Sequence, residues 1–292
     1  MRILLVGGSG QLGTEIRRTW IDCTIESPSH DELDLEDAPS VGTALARSSP
    51  DVLVNCAAFH NVDRCEEQPE RALAVNALAV QRAGKLCRDR GVRFVTVSTD
   101  YVFDGRASQP YVEEDAPHPI SVYAASKYTG ELLVECLHSD ALVVRTCGVY
   151  GVRPSATKGY TFVDRIVAQT KAGEPVRVVG DVVASPTFAG HLAAALHFLV
   201  VRARATGLYH VANRGPVSWY DFACEALRQT GLDPGHVERI SSRDWKAPAR
   251  RPAFSALASP KLAALGHTMP DWREGIAAYL ELSRLSAAAG TP

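Results

Sequence analysis

The chain has 292 residues, 46% of them hydrophobic and 22% charged, and a net charge of −2 from 31 basic and 33 acidic side chains. That length can bury a large core, and the composition is ordinary for a globular protein. Near-neutral charge without blocks of one sign argues against nucleic acid or an anionic membrane as a partner, and no apolar run reaches the ~18 residues of a membrane span. Met1–Val6 is a short apolar run, predicted to be a buried parallel strand. It leads into Gly7-Gly8-Ser9-Gly10-Gln11-Leu12-Gly13, which satisfies both Gly-x-x-Gly-x-x-Gly and Gly-x-Gly-x-x-Gly. A helix pattern follows, with Leu12, Ile16 and Trp20 on one face. Glycines at such a turn let backbone N–H groups approach a pyrophosphate at the positive end of a helix, so these segments predict a dinucleotide site.

Further strands are predicted near Cys23–Glu26 and at Val52–Asn55, Phe94–Ser98 and Leu142–Thr146. They alternate with helices over Gly13–Trp20, Pro39–Arg47, Pro69–Arg90 and Val122–Leu137. That rhythm implies an α/β fold with a doubly wound, Rossmann-like parallel sheet. Beyond Thr146 the elements shorten: a strand at Val176–Val179, a helix from about Phe188 to Arg204, a strand at Gly207–Ala212, and a helix over Ser218–Thr230 with Ser218 as its N-cap. A proline-rich loop (Arg243–Pro260), an amphipathic helix (Asp271–Leu285) and a small-residue tail (Ser286–Pro292) complete the chain. The dinucleotide-binding domain is assigned to residues 1–146 with 176–204 and 270–285, and a smaller α/β substrate-binding domain to 147–175 and 205–269.

Seven cysteines lie scattered without paired metal-ligand spacing, as expected of reduced thiols in a cytosol. Cys23, Cys56, Cys87, Cys136 and Cys147 have apolar neighbours and read as small core residues. The N-terminus reads as a core strand rather than a signal peptide, and cytoplasmic localisation is expected.

Tyr123 and Lys127, in Tyr123-Ala-Ala-Ser-Lys127, fall on one face of a predicted helix. A neighbouring ammonium stabilises a phenolate and draws its pKa toward neutrality, where acid–base catalysis is most effective. Ser98-Thr99-Asp100 ends an apolar strand. In an open parallel sheet, ligands sit outside the carboxyl ends of strands, so these side chains point toward whatever the glycine loop holds.

These residues belong to a longer pattern. Asn55-Cys-Ala-Ala58, Val62-Asp63-Arg-Cys-Glu66, Val75-Asn76-Ala77, Ser98-Thr-Asp-Tyr-Val-Phe-Asp-Gly105, Pro110-Tyr-Val-Glu113, Tyr123 to Lys127 with Gly130-Glu131, Val144-Arg-Thr146, Ser185-Pro-Thr187, Ser218-Trp219 and Arg250-Arg251-Pro252 with Ser255 occur in order along nearly the whole chain. The chain resembles the extended short-chain dehydrogenases, and within them the dTDP-4-dehydrorhamnose reductase family. The resemblance implies reduction of the 4-keto group of a nucleotide-activated 6-deoxyhexose by NADPH or NADH, in rhamnose biosynthesis yielding dTDP-L-rhamnose. It implies Tyr123 as proton donor, Lys127 as the amine that lowers its pKa and bonds the nicotinamide ribose, and Thr99 as the hydroxyl that orients the carbonyl. Gly7, Gly10, Gln11, Leu12 and Gly13 would border the pyrophosphate, Asp34 and Leu35 the adenine, and Ala57, Ala58 and Asn76 the cofactor path. Asp100, Tyr101 and Gly148 would neighbour the sugar, and Arg250 and Arg251 would pair with its diphosphate.

Cofactor choice stays open in the sequence. His30 or Ser29 could help a 2′-phosphate, while Glu26 or Asp31 could oppose one; the lean is to NADPH, on which reductive sugar chemistry draws. Arg145-Thr-Cys-Gly148-Val-Tyr150 departs from a family pattern with tryptophan at position 148. That tryptophan packs on the sugar, so here the pocket is either wider or filled by another side chain. A related deoxysugar ketoreductase of secondary metabolism is therefore an alternative, as is a non-catalytic NADP-binding regulatory subunit. Some relatives dimerise through a glutamate-bound magnesium. Glu15 fits one such position, but Gly190 stands where a second carboxylate is expected. A homodimer remains an expectation, and no metal is predicted.

Overall fold

A computed structural model describes residues 1–137, 140–153, 159–244 and 247–288. Residues 245–246 of the proline-rich loop and 289–292 of the small-residue tail lie outside the described residues. Strands β1 (Arg2–Val6), β2 (Thr24–Glu26), β3 (Val52–Asn55), β4 (Arg93–Thr99), β5 (Leu142–Thr146), β6 (Val176–Val179), β7 (Val183–Ala184), β8 (Gly207–His210), β9 (Val217–Ser218) and β10 (Val237–Ile240) fall into three sheets. The main one has six strands in the order β2-β1-β3-β4-β5-β8, all parallel, with Ile3 opposite Val52, Val54 opposite Val95 and Val97 opposite Val144. A short apolar run with no polar alternation buries both faces. Accordingly Leu4, Leu5, Leu53, Val54, Val95, Leu142 and Val144 are fully buried.

Helices α1 (Gln11–Thr19), α2 (Ala38–Ser48), α3 (Val62–Glu67), α4 (Pro69–Leu73), α5 (Val80–Arg88) and α6 (Val122–Leu137) connect or cover the first five strands, and a π-helical stretch, Ala74–Ala79, joins α4 to α5. After β5 come α7 (Phe162–Lys171), α8 (Ala189–His197), α9 (Trp219–Gln229), α10 (Pro260–Ala264) and α11 (Trp272–Ala288). Two core clusters flank the sheet. One holds Ile3, Leu5, Val54, Val144 and the α8 leucines, and the other Leu4, Leu53, Leu45, Phe94 and Val134. Ser218 caps α9 as expected, its hydroxyl accepting from the Asp221 N–H at 3.0 Å. Among the described residues, no helix is long and apolar enough to cross a membrane.

Pairing in space corrects the segment assignment. Gly207–His210, assigned to the smaller domain, is the sixth strand of the main sheet, with Val144 opposite Tyr209. Val176–Val179, assigned to the dinucleotide-binding domain, pairs instead with β10 in a separate two-stranded sheet. The last helix, also assigned there, buries Trp272, Ile276 and Tyr279 against Phe222, Val163 and Val217 of the later elements. Both strands are short apolar runs, and their composition carries no record of the edge they join. All seven cysteines are unpaired; Cys136, expected in the core, is exposed on α6.

Candidate active site

The order β2-β1-β3 reverses direction at β1, and a crevice opens there at the carboxyl ends of the strands. The glycine loop leaves β1 on one side of the crevice and Cys56–His60 leaves β3 on the other. Gly7 has φ +78°, and a Cβ on it would stand 2.8 Å from the Ala57 nitrogen, so this glycine lets the two loops touch. At Gly13 a Cβ would lie 2.5 Å from the Gly8 Cα, which fixes how closely α1 docks on the loop. Gly10 differs: the only atom within 4 Å of an added Cβ is the Gly7 oxygen, at 3.3 Å. Gly10 is also the N-cap of α1 and supplies no side-chain cap. The first-turn amides, including those of Gln11, Leu12 and Gly13, therefore border a space that a Cβ would enter, the cradle an anionic pyrophosphate requires.

Around this cradle the expected cofactor residues divide. Glu26, at the end of β2, is held by Arg47 at 2.6 Å, which offsets the negative charge that would repel a 2′-phosphate. His30 is exposed on the following loop. Asp34 accepts from the Glu36 N–H, while Leu35 is 5% exposed within a core cluster and offers almost no side-chain surface to an adenine. Ala57 and Ala58 lie on the loop that leaves β3. Asn76 departs from its expected role. Its amide accepts from the Phe59 N–H (2.9 Å) and donates to the Phe59 oxygen and Ser126 Oγ (3.0 Å each). Both ends of the amide are thus spent inside the protein, clamping the β3 loop to α6 one residue before Lys127. Helix α6 comes this close because position 130 is glycine, where a Cβ would collide with the Asn76 carbonyl oxygen.

At the end of β4 lies a cleft of about 160 Å³. It is smaller than the ~300 Å³ of a drug-sized pocket, so it has room for a single ring rather than for a dinucleotide-sized ligand. The main-sheet side supplies His60, Val62, Thr99, Asp100, Tyr101, Tyr123, Cys147 and Gly148, and the far side Val182, Ala184, Trp219 and Ser255. A larger open groove of about 540 Å³, beside α9 and β10, is lined by none of Thr99, Asp100, Tyr123, Lys127 or the glycine loop. Tyr123 and Thr99 share a side-chain hydrogen bond, and the Tyr123 ring meets Tyr101 edge-on at 6.0 Å. Burial pushes the Tyr123 phenol well above its ordinary value, and only the bond to Thr99 opposes this. Lys127 does not lower it in this structure: the ammonium donates to the Val97 carbonyl oxygen at 2.6 Å. The helix places both residues on one face, but the long lysine side chain reaches down onto β4. Burial lowers Lys127 to about 8, and the Glu131 carboxylate acts upward.

Asp100 is buried and receives hydrogen bonds from Thr99 Oγ1 (3.1 Å) and Cys147 Sγ (3.0 Å). Burial raises its carboxyl to about 6, against the bonds from Ser255, Cys147 and Thr99. Arg251 sits at the rim, paired with Asp63 at 2.8 Å and close enough to bond Tyr101; Arg250 is exposed. The space beside Gly148 is filled: a Cβ there would be 3.1 Å from Trp219 Cη2. Val182 and Ala184 had no signal in the sequence, because they meet the site only through the β7–β9 pairing and the bridge from Val183 to Phe254, and the Cys147–Asp100 bond follows from the β4–β5 register, which sets Thr99 opposite Thr146. Glu15 is 1% exposed and committed to Arg18 at 2.6 Å. Among the described residues, Asp22, Cys23 and His197 come together in one group able to hold a metal. Asp22 and Cys23 directly precede β2, at the opposite end of the sheet from the cleft.

Comparison with known proteins agrees with this architecture. Residues 1–285 match the model of the RmlD substrate binding domain. The chain is 34% identical to a dTDP-4-dehydrorhamnose reductase of Burkholderia thailandensis, over 94% of this chain and 97% of that one. It is 35% identical to a dTDP-4-keto-6-deoxy-D-glucose reductase of Streptomyces niveus, over 94% and 90%. The crystal structure of dTDP-4-dehydrorhamnose reductase from Bacillus anthracis in complex with NADP superposes with a TM-score of 0.89 at 30% identity, covering 96% of this chain and 98% of that one. Six parallel strands wound about a glycine-loop crevice, with Thr99 and Tyr123 lining the cleft at the end of β4 and Lys127 buried against that strand, thus accompany full-length similarity: the chain belongs to the dTDP-4-dehydrorhamnose reductase family of extended short-chain dehydrogenases.

Proposed function

We propose that this protein is an NADPH-dependent oxidoreductase that reduces the 4-keto group of a nucleotide-linked 6-deoxyhexose, converting dTDP-4-dehydro-L-rhamnose to dTDP-L-rhamnose. The observation that carries this reading is the convergence of Thr99, Asp100 and Tyr123 on one small cleft beside the glycine cradle. The first turn of α1 would hold the pyrophosphate, and the β3 loop with Lys127 would border the nicotinamide riboside. NADPH, when bound, supplies the hydride that reduces the carbonyl carbon. Tyr123, kept protonated by burial, gives its phenolic proton to the oxygen as negative charge develops there. Thr99, bonded to Tyr123, fixes the direction of the phenol, while its own hydroxyl proton is held by Asp100. Lys127, lowered to about 8, is mostly protonated at neutral pH and contributes positive charge on the same helix face. The later elements, with Trp219, Ser255 and Arg251, would form the sugar-nucleotide side of the cleft.

Gly148 and the Streptomyces niveus relative favour a second reading, in which the substrate is another dTDP-4-keto-deoxysugar. Purified protein is incubated with NADPH and a panel of dTDP-4-keto-6-deoxyhexoses, and loss of reduced-cofactor absorbance is matched to product. Stoichiometric oxidation is expected, with Tyr123→Phe at least ~100-fold slower and cofactor binding retained. Binding of NADPH without oxidation by any nucleotide ketosugar overturns the enzyme reading in favour of a regulatory subunit.

A further inference from the structure

Gly148 has φ +50°, a left-handed conformation that disfavours a side chain, and its surroundings would crowd one as well. An added Cβ would stand 3.1 Å from Trp219 Cη2, 3.3 Å from Trp219 Cζ2 and 3.3 Å from the Pro186 Cα. Both residues line the cleft that holds Thr99 and Tyr123, yet they come from opposite sides of it: Gly148 follows β5, and Trp219 opens α9. Trp219 is firmly seated. Its backbone N–H donates to the Val182 carbonyl oxygen at 3.2 Å, and its ring meets Phe162 edge-on at 5.0 Å and Phe222 at 5.9 Å. The other far-side residues, Val182, Ala184 and Ser255, are small, so the indole is the one large apolar surface that side offers.

We propose that Trp219 is a specificity-determining residue of this cleft, packing on the C–H face and C6 methyl of the sugar, its indole edge lying in the space that Gly148 leaves free of a side chain. The proposal rests on the reductase reading and adds the residue that selects its 6-deoxy sugar. A rigid indole gains by covering carbon-bound hydrogens and loses by covering hydroxyls that it cannot bond. The wall therefore favours 6-deoxy sugars over their 6-hydroxy counterparts. Because Trp219 touches the ring rather than the reacting oxygen, it acts on binding more than on turnover.

The test is steady-state kinetics on the full chain with NADPH and a dTDP-4-keto-6-deoxyhexose. Trp219→Ala is expected to raise KM for the sugar roughly tenfold with kcat changed less than about threefold, and Trp219→Phe to restore most of the loss. Gly148→Ala is expected to raise KM similarly, and by less when combined with Trp219→Phe, because the two positions share one space. If wild-type protein turns over and KM stays within about twofold in Trp219→Ala and Gly148→Ala, the proposal fails while the reductase reading stands. If wild-type protein oxidises no cofactor with any ketosugar, the reductase reading itself fails and takes the proposal with it. Should Trp219→Ala unfold, the Gly148→Ala arm decides alone: a KM rise supports the proposal, and an unchanged KM overturns it.

Discussion

Glu131→Gln tests how the fold supports the site. Arg145 on β5 is 3% exposed and Glu131 on α6 is 7% exposed. They are joined by hydrogen bonds of 2.6 Å from Nη2 and 3.1 Å from Nε to both carboxylate oxygens. The guanidinium also lies over the Phe103 ring at 5.3 Å and beside His210, which burial and Arg145 itself lower to about 3 and so keep neutral. No other carboxylate bonds Arg145 among the described residues, so the substitution strands a buried charge at a cost of about 3 kcal/mol. For a chain of this length that lowers Tm by roughly 6–12 °C. Glu131 also pushes the Lys127 pKa upward against burial. Without the carboxylate, Lys127 loses its proton below pH 8, and the alkaline limb of kcat shifts to lower pH. The stability sign agrees: folded Lys127 binds fewer protons than unfolded between pH 8 and 10.5, so stability rises with pH there, over a wider range in the variant. Calorimetric melting and a pH–rate profile make the measurement. Glu131→Leu with Arg145→Met should recover most of the stability but not the pH shift, since only the ion pair has been replaced. A Tm within about 2 °C of wild type, with an unmoved alkaline limb, would refute the reasoning.

Two further predictions concern the crevice. In Gly10→Val the chain should fold normally, because φ is −76° and the only near neighbour of the new Cβ is the Gly7 oxygen at 3.3 Å; NADPH affinity by calorimetry should fall at least ~100-fold as the side chain fills the phosphate cradle, and unchanged affinity would remove the glycine loop from the cofactor site. Asp100 binds more protons folded than unfolded between its ordinary 3.8 and about 6, so wild-type stability should fall across that window by about 3 kcal/mol in total. Asp100→Asn should flatten that slope, and an identical slope in both proteins would mean that Asp100 is not the titrating group.

The sequence by itself determined the local units. Apolar runs too short for helices became strands buried on both faces, Val52–Asn55 and Leu142–Thr146 ending where the pattern placed them. The glycine loop, the Tyr123–Lys127 face and the Ser218 cap were equally legible, because each depends on neighbours within a few residues. Tertiary structure decided what depends on distant partners. Which sheet received Val176–Val179 or Gly207–His210 was settled by β10 and β5, from outside those segments. Spacing put Lys127 beneath Tyr123, but the Val97 carbonyl oxygen claimed its ammonium. Asn76 stood in a recognisable motif, and folding turned it into a clamp between Phe59 and Ser126. The glycine at 148 left open whether the cleft is wide or filled. Only packing across β5 and α9 brings Trp219 into that space, because close contact depends on three-dimensional shape and leaves no periodicity in the chain.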